Sequence, residues 1–172
     1  TIEFLVRDNN SDNVGNQWST VITRKLNIVA VLDLPKLTDD RTNKDSTALQ
    51  FTENGAAIII GDSFAITDVD DTNIDSAIIR ISNNYDYITT KNLGDSLFFG
   101  TGVPAGITAY YTYGANTGDS ITLGGSATLA NYKTALSKLT FKNNSDDPTN
   151  NDTKLSRTIE FLVRDNNSDN VG

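Results

Sequence analysis

"SFAITDVDDTNIDSAIIRIS", residues 63–82, is two apolar stretches separated by a run of acid. The flanks, SFAIT (63–67) and SAIIRIS (76–82), are rich in β-forming residues and read as strands. Between them Asp68, Asp70, Asp71 and Asp75 place four carboxylates within eight residues. Like charges that close repel one another unless a cation lies among them or water screens them. The pattern therefore specifies strand, acidic loop, strand. The loop is either a solvated turn or a donor of several oxygens to a hard cation such as Ca²⁺. It is not an EF-hand, because the glycine of position six is Asn73 and the glutamate of position twelve is Ile79.

The same strand signal recurs along the chain. TIEFLV (1–6), WSTVITRKLNIVAVL (18–32), ALQFT (48–52), AIIIG (57–61), SLFFG (96–100), ITAYYTY (107–113), SITLG (120–124), KLTFKN (138–143) and TIEFLV again (158–163) are separated by turn residues at intervals of roughly ten, the spacing of a sandwich or barrel. In the long 18–32 stretch, Ile22, Leu26 and Ile28 fall on one face and Val21, Thr23, Lys25 and Asn27 on the other. One segment departs from the period. In GSATLANYKTALSKL, Leu129, Tyr132, Leu136 and Leu139 recur at three and four residues, and Ser126 or Thr128 can cap the start. A short crossover helix near 128–137 is expected. The fold class is all-β, a Greek-key β-sandwich carrying that one helix.

The chain also repeats itself. TIEFLVRDNNSDNVG occupies residues 1–15 and returns, letter for letter, at 158–172, an offset of 158 − 1 = 157 residues. That is too long for a small solenoid repeat and suits a tandem array of whole domains. Pro35, in VAVLDLPKLTDDRTNKDS, closes an apolar strand and opens a polar stretch, as a domain junction does. Residues 1–33 are expected to be the C-terminal strands of a preceding repeat. Residues 34–172 are expected to be the next repeat without its last strand. Strand 16–33 then either folds back on its own chain or completes a neighbouring copy.

Composition narrows the chemistry. Of the 22 acidic residues nineteen are Asp and three are Glu (Glu3, Glu53, Glu160), a bias toward turns and hard-cation ligands over helices. A net charge of −8 with no basic patch argues against nucleic acid as a partner. Cys, His and Met are absent, which removes thiolate and imidazole metal sites, Cys or Ser–His nucleophiles and disulfide staples. No apolar run in this segment reaches the length of a membrane span. No acidic pair sits in a recognisable catalytic motif, and an enzyme is not expected.

Three further constellations stand out. In FTENGAA (51–57), Glu53 precedes the tight-turn pair Asn54-Gly55. In VRDNNSDN (164–171, repeated at 7–14), Asp165, and Asp8 in the twin, follows directly on an apolar strand. In VLDLP (31–35), Asp33 stands at the junction. Each is read equally well as a turn-flanking polar residue.

Residues 51–82, together with GDSLFFG (94–100), residues 124–166 and VAVLDLP (29–35), resemble the cadherin-like repeats of giant bacterial surface proteins and adhesins. The pairing of ENGAA with TDVDD some fifteen residues later is the most specific feature. The resemblance implies sandwiches strung head to tail with Ca²⁺ at or near their junctions. It implies metal ligation by Glu53, Asp68, Asp70 and Asp165, with Asp8 equivalent to Asp165 and Asp33 matching the linker acid in part. Leu32 and Leu34 depart from the acidic or amide neighbours expected beside that linker acid, and TDDRTNKDS (38–46) is an insertion.

The functional expectation is a structural spacer repeat of a large secreted bacterial adhesin or surface filament. Calcium would stiffen it, its neighbours would be copies of itself, and a homo-oligomeric filament is a further arrangement. The competing expectation is an extracellular glycan- or ligand-binding module, in which Tyr110, Tyr111 and Tyr113 of AYYTYG (109–114), with Trp18 elsewhere, supply stacking surfaces.

Overall fold

A computed structural model of the chain describes residues 1–9, 11, 12, 15, 18–29, 31–41, 49–88, 93–114 and 118–165. The chain divides into two compact units, Thr1–Val31 and Leu32–Gly172.

In the first unit β1 (Ile2–Phe4) pairs antiparallel with β2 (Ile22–Arg24), in the register Ile2–Arg24, Glu3–Thr23, Phe4–Ile22. A bridge between Arg7 and Trp18 extends the pairing, and the Arg7 guanidinium lies 5.6 Å from the Trp18 ring centroid. Two strands have no second layer against which to bury an apolar face. Phe4, Val6, Ile22, Leu26, Ile28 and Val29 are accordingly all exposed, Ile28 by 88%. The strand expected over 18–32 is paired, among the described residues, only at Trp18 and over Ile22–Arg24. The described residues beyond Arg24 have no ladder partner in this unit.

The second unit is an all-β sandwich. Its elements are β3 (Lys36–Asp39), β4 (Ile58–Ile59), β5 (Phe64–Thr67), β6 (Asn73–Asn83), β7 (Asp95–Phe99), β8 (Thr108–Gly114), β9 (Gly118–Thr128), α1 (Leu129–Leu136), β10 (Leu139–Asn143) and β11 (Thr158–Asp165). One layer is a four-stranded antiparallel sheet in the order β11-β6-β9-β8. Facing it are the three-stranded sheet β4-β10-β7 and the two-stranded ladder β3-β5. Alternation sends Ala77, Ile79 and Ile81 of β6, Ile121 and Leu123 of β9, Leu97 and Phe99 of β7 and Leu139 and Phe141 of β10 into one core. Phe64 of β5 and Phe161 of β11 meet across it with centroids 4.5 Å apart.

The helix is where the sequence places it. Thr128 caps it, its Oγ1 accepting the Asn131 N–H at 3.2 Å. The helix carries the chain from β9 in one layer to β10 in the other. Its buried Tyr132 also ties down an irregularity in the four-stranded sheet. Between Ile74 and Ser76 of β6 there is one residue, whereas between their partners Ala127 and Gly124 of β9 there are two, a β-bulge. Gly125, at φ +120°, makes that bulge, and a Cβ there would come within 2.2 Å of the Gly106 carbonyl oxygen. The Tyr132 hydroxyl lies 2.9 Å from the carbonyl oxygens of both Asp75 and Gly125 and shares its proton between them. Burial, with the nearby Asp75 charge, pushes that phenol up to about 12.

Two expectations change. The polar stretch after Pro35 begins with a strand: Lys36–Asp39 pairs with β5, and Arg41 and Ser63 hold the Asp39 carboxylate in place of apolar packing. Conversely, described residues 49–52 are not a strand. Phe51 still reaches the core, packing edge-on against Phe141 at 5.4 Å. Residues 42–48, which hold most of the 38–46 insertion, lie outside the described residues.

Tyr132→Phe keeps the ring and deletes the hydroxyl that closes the bulge. The expected loss is about 1–3 kcal/mol of unfolding free energy with an unchanged m-value, measured by urea denaturation. A loss below the error of that measurement would show that the bulge holds itself.

Candidate metal centre

Loop 68–72 links β5 to β6 at one end of the sandwich. The Asp68 side chain organises it. Asp68 Oδ1 accepts the backbone N–H of Asp71 at 2.9 Å and of Asp70 at 3.2 Å, an Asx turn closed on its own residue. The start of α1 braces the loop from the other side, with the Leu129 N–H donating to the Thr72 carbonyl at 3.3 Å. Asp68, Asp70 and Asp71 each present a carboxylate oxygen within 4.8 Å of the other two. That separation fits ligands on opposite sides of one Ca²⁺, where each lies roughly 2.3–2.6 Å from the ion.

Two details bear on whether the residues suit a cation. Asp71 is buried at 6% exposure. Asp68 Oδ2 is sealed from solvent and has no hydrogen-bond partner. A buried anionic oxygen in that state is costly unless a positive group approaches it. Partial burial works to raise the Asp68 carboxyl, but the backbone N–H groups of Asp71 and Asp70 outweigh it and hold it below the ordinary value. Asp68 is thus ionised and presents a ligand oxygen. The donor set fits a divalent cation of oxygen preference, with the remaining coordination left to carbonyls or water.

Of the residues singled out in the sequence, Asp68 and Asp70 come together, and Asp71 completes the group. Asp165 is buried at the end of β11 opposite Ile74, hence at the same end of the sheet as the loop, but it is not one of the three. Glu53 stands exposed in its turn beside Asn54, which adopts φ +57°. Asp8, in the first unit, and Asp33 are both exposed and lie outside the group.

A second polar centre escaped the sequence reading. Asp95 is fully buried, and Asp86 and Asn143 nearly so. Asn143 Nδ2 donates to Asp86 Oδ2 and Asp95 Oδ1, both at 2.9 Å, and the Asp86 N–H donates to Asp95 Oδ2 at 2.7 Å. Arg157 Nε donates to Asp95 Oδ2 at 2.5 Å, while its terminal nitrogens bind the carbonyls of Lys154 and Pro148. One guanidinium thus ties the 144–157 loop to the sandwich. The available signal was positional: Asn143 follows Leu139 and Phe141 on the inward face of β10, where a polar residue needs partners. Its N-x-S sequence carries no glycan in this fold, because Asn143 is 1% exposed.

No protein-family model, no curated protein and no solved structure matches the chain.

Two outcomes follow. Arg157→Met strips the buried Asp95 of its cation, and the expected cost is about 3–5 kcal/mol in chemical denaturation. The second concerns acid. Hydrogen bonds from Arg41 hold the Asp39 carboxyl far below the carboxylate range, against the pull of burial and with help from the Ser63 hydroxyl. A depressed folded pKa contributes stability that is complete above the unfolded value of about 3.9 and fades as pH falls through the folded one. Stability should therefore fall below about pH 4, and Asp39→Asn should make that fall shallower. Parallel acid profiles for the two proteins would remove Asp39 from the account.

Proposed function

We propose that this chain is a structural spacer repeat of an extracellular tandem array on a bacterial surface, stiffened by Ca²⁺ held at Asp68, Asp70 and Asp71. The observation that carries the reading is one sequence used twice. Ile159–Phe161 pairs with β6 inside a packed sandwich, whereas the identical Ile2–Phe4 forms half of a bare hairpin with its apolar side chains in water. The first copy has the sequence of a strand that belongs in a sandwich, and the 157-residue offset supplies that sandwich as the preceding repeat.

A spacer needs copies and length. β6 spans eleven residues, and at about 3.3 Å per residue a sandwich of such strands runs roughly 35 Å. Each repeat would lengthen the array by that order. The acidic loop gives the array a reason to respond to its surroundings: extracellular Ca²⁺ modules work at roughly 0.1–1 mM, so the loop fills outside a cell and empties within one.

The glycan-binding reading has less support. Tyr113 is drawn into a cluster with Tyr85 and Tyr87, its ring 5.4 Å from that of Tyr87, and its hydroxyl donates to the Ile88 carbonyl. Tyr110 and Tyr111 remain exposed, but successive strand residues turn to opposite faces and do not form one platform.

The test is calorimetry in Ca²⁺ and in EDTA. Saturation a hundredfold above Kd contributes about 2.7 kcal/mol, an upward shift of several degrees in Tm. Asp68→Asn should abolish most of it. An unchanged melting temperature in the unaltered protein would overturn the calcium half of the proposal.

A further inference from the structure

The second unit is open along one side. A groove of about 590 Å³ runs between β11 and the opposite layer, and its walls include Phe51, Ile58 and Phe141 on one side and Ile159 and Phe161 on the other. β11 ends its sheet: β6 takes one of its edges, and no strand among the described residues takes the other. Polar side chains, Gln50, Asn143 and Arg157 among them, line the rest of the groove, and its apolar stripe beside an open strand edge is the shape left for one further strand.

The first unit shows which strand pairs with that sequence. Ile2, Glu3 and Phe4 pair with Arg24, Thr23 and Ile22, and Arg7 bridges Trp18. Adding 157 turns Ile2, Glu3, Phe4 and Arg7 into Ile159, Glu160, Phe161 and Arg164 of β11. The donor's apolar residues Ile22, Leu26 and Ile28 are 65, 67 and 88% exposed where they are. Moving β2 from β1 to β11 exchanges one ladder for an equivalent one and adds burial of apolar surface, which favours the exchange.

We propose, resting on the repeat reading, that strand Ile22–Arg24 of one copy of this chain adds to β11 of a second copy in the register Arg24–Ile159, Thr23–Glu160, Ile22–Phe161, with Leu26 and Ile28 closing the groove. With Leu26 and Ile28 seated in this way, chain length opposes use of the donor's own sandwich. Continued in extended form past the start of β11 at Thr158, that register sets Ile28 level with residue 155, ten residues or about 33 Å from the Asp165 end. Lys36 pairs with Thr67, beside the acidic loop, and so lies at that Asp165 end. The eight residues from Ile28 to Lys36 reach at most about 29 Å. The donor therefore closes a neighbour, and the neighbours follow one another end to end.

The chain has no cysteine, so the register can be read by cross-linking. A Thr23→Cys chain and a Glu160→Cys chain, mixed and oxidised, should give a disulfide-linked heterodimer. It should exceed, by about tenfold, the product with Asn27→Cys in place of Thr23→Cys, because a disulfide needs Cα atoms within about 7 Å. The double variant should give a ladder of dimers and higher species. Thr23 and Asn27 are exposed, Glu160 is half-buried and pairs with Arg80, and circular dichroism checks that each variant is folded. The unaltered chain provides a second readout: its mass by light scattering should rise with concentration, and Leu26→Asp should hold it at monomer. Equal cross-linking from residues 23 and 27, no heterodimer above the unmixed controls, or a double variant linked only within one chain would overturn the proposal. The experiment is run in Ca²⁺ and in EDTA. A ladder in both with no thermal response to Ca²⁺ would remove the metal and leave the exchange, and the converse pattern would do the reverse.

Discussion

A strand at the edge of a sheet carries backbone groups that ask for a neighbour, and the neighbour it finds decides what its side chains become. The sequence IEF occurs twice in this chain. Beside β6, with a second layer above it, its phenylalanine packs 4.5 Å from Phe64 and joins the core. Beside β2 alone, the same residue is half in water. Nothing in the local sequence differs, so the difference is tertiary: burial needs a second layer, and a two-stranded ribbon has none. In the proposed exchange, the groove along β11 and the exposed apolar face of residues 22–28 become the two halves of one interface.

Much of the sandwich was legible because period-two patterning and tertiary structure agree. SAIIRIS, SLFFG, ITAYYTY, SITLG and KLTFKN each became a strand, and the shift to a three-and-four spacing from Leu129 to Leu136 marked the helix. What was not legible lay where backbone pairing, not side-chain pattern, decides. Lys36–Asp39 has only one aliphatic residue, Leu37, to announce a strand, and it is held by its ladder with β5 and by the Asp39 carboxylate. ALQFT has the composition of a strand, yet Phe51 reaches the core without one.

The site divides in the same way. Asp-x-Asp after a strand pointed to Asp68 and Asp70, and the Asx turn that gathers Asp71 beside them follows from the short reach of the aspartate side chain. Glu53, Asp165, Asp8 and Asp33 came from resemblance, and their company depends on long-range geometry that spacing alone does not encode. The Asp86–Asp95–Asn143–Arg157 centre draws its members from four separate segments. Only the inward position of Asn143 betrayed it.

The account turns on whether a strand from the following copy fills the groove beside β11. Amide hydrogen exchange on a protein of two consecutive repeats tests this directly, because it contains residues 18–29 twice: once leading, and once following a β11. At a concentration low enough to keep the protein monomeric, the account predicts that the amides of Ile22–Arg24 in the internal copy are protected to the level of the sandwich core, while those of the leading copy exchange within the fast, hairpin regime. Equal and rapid exchange of both copies would contradict it and would leave the open edge of β11 as the finished form of the domain.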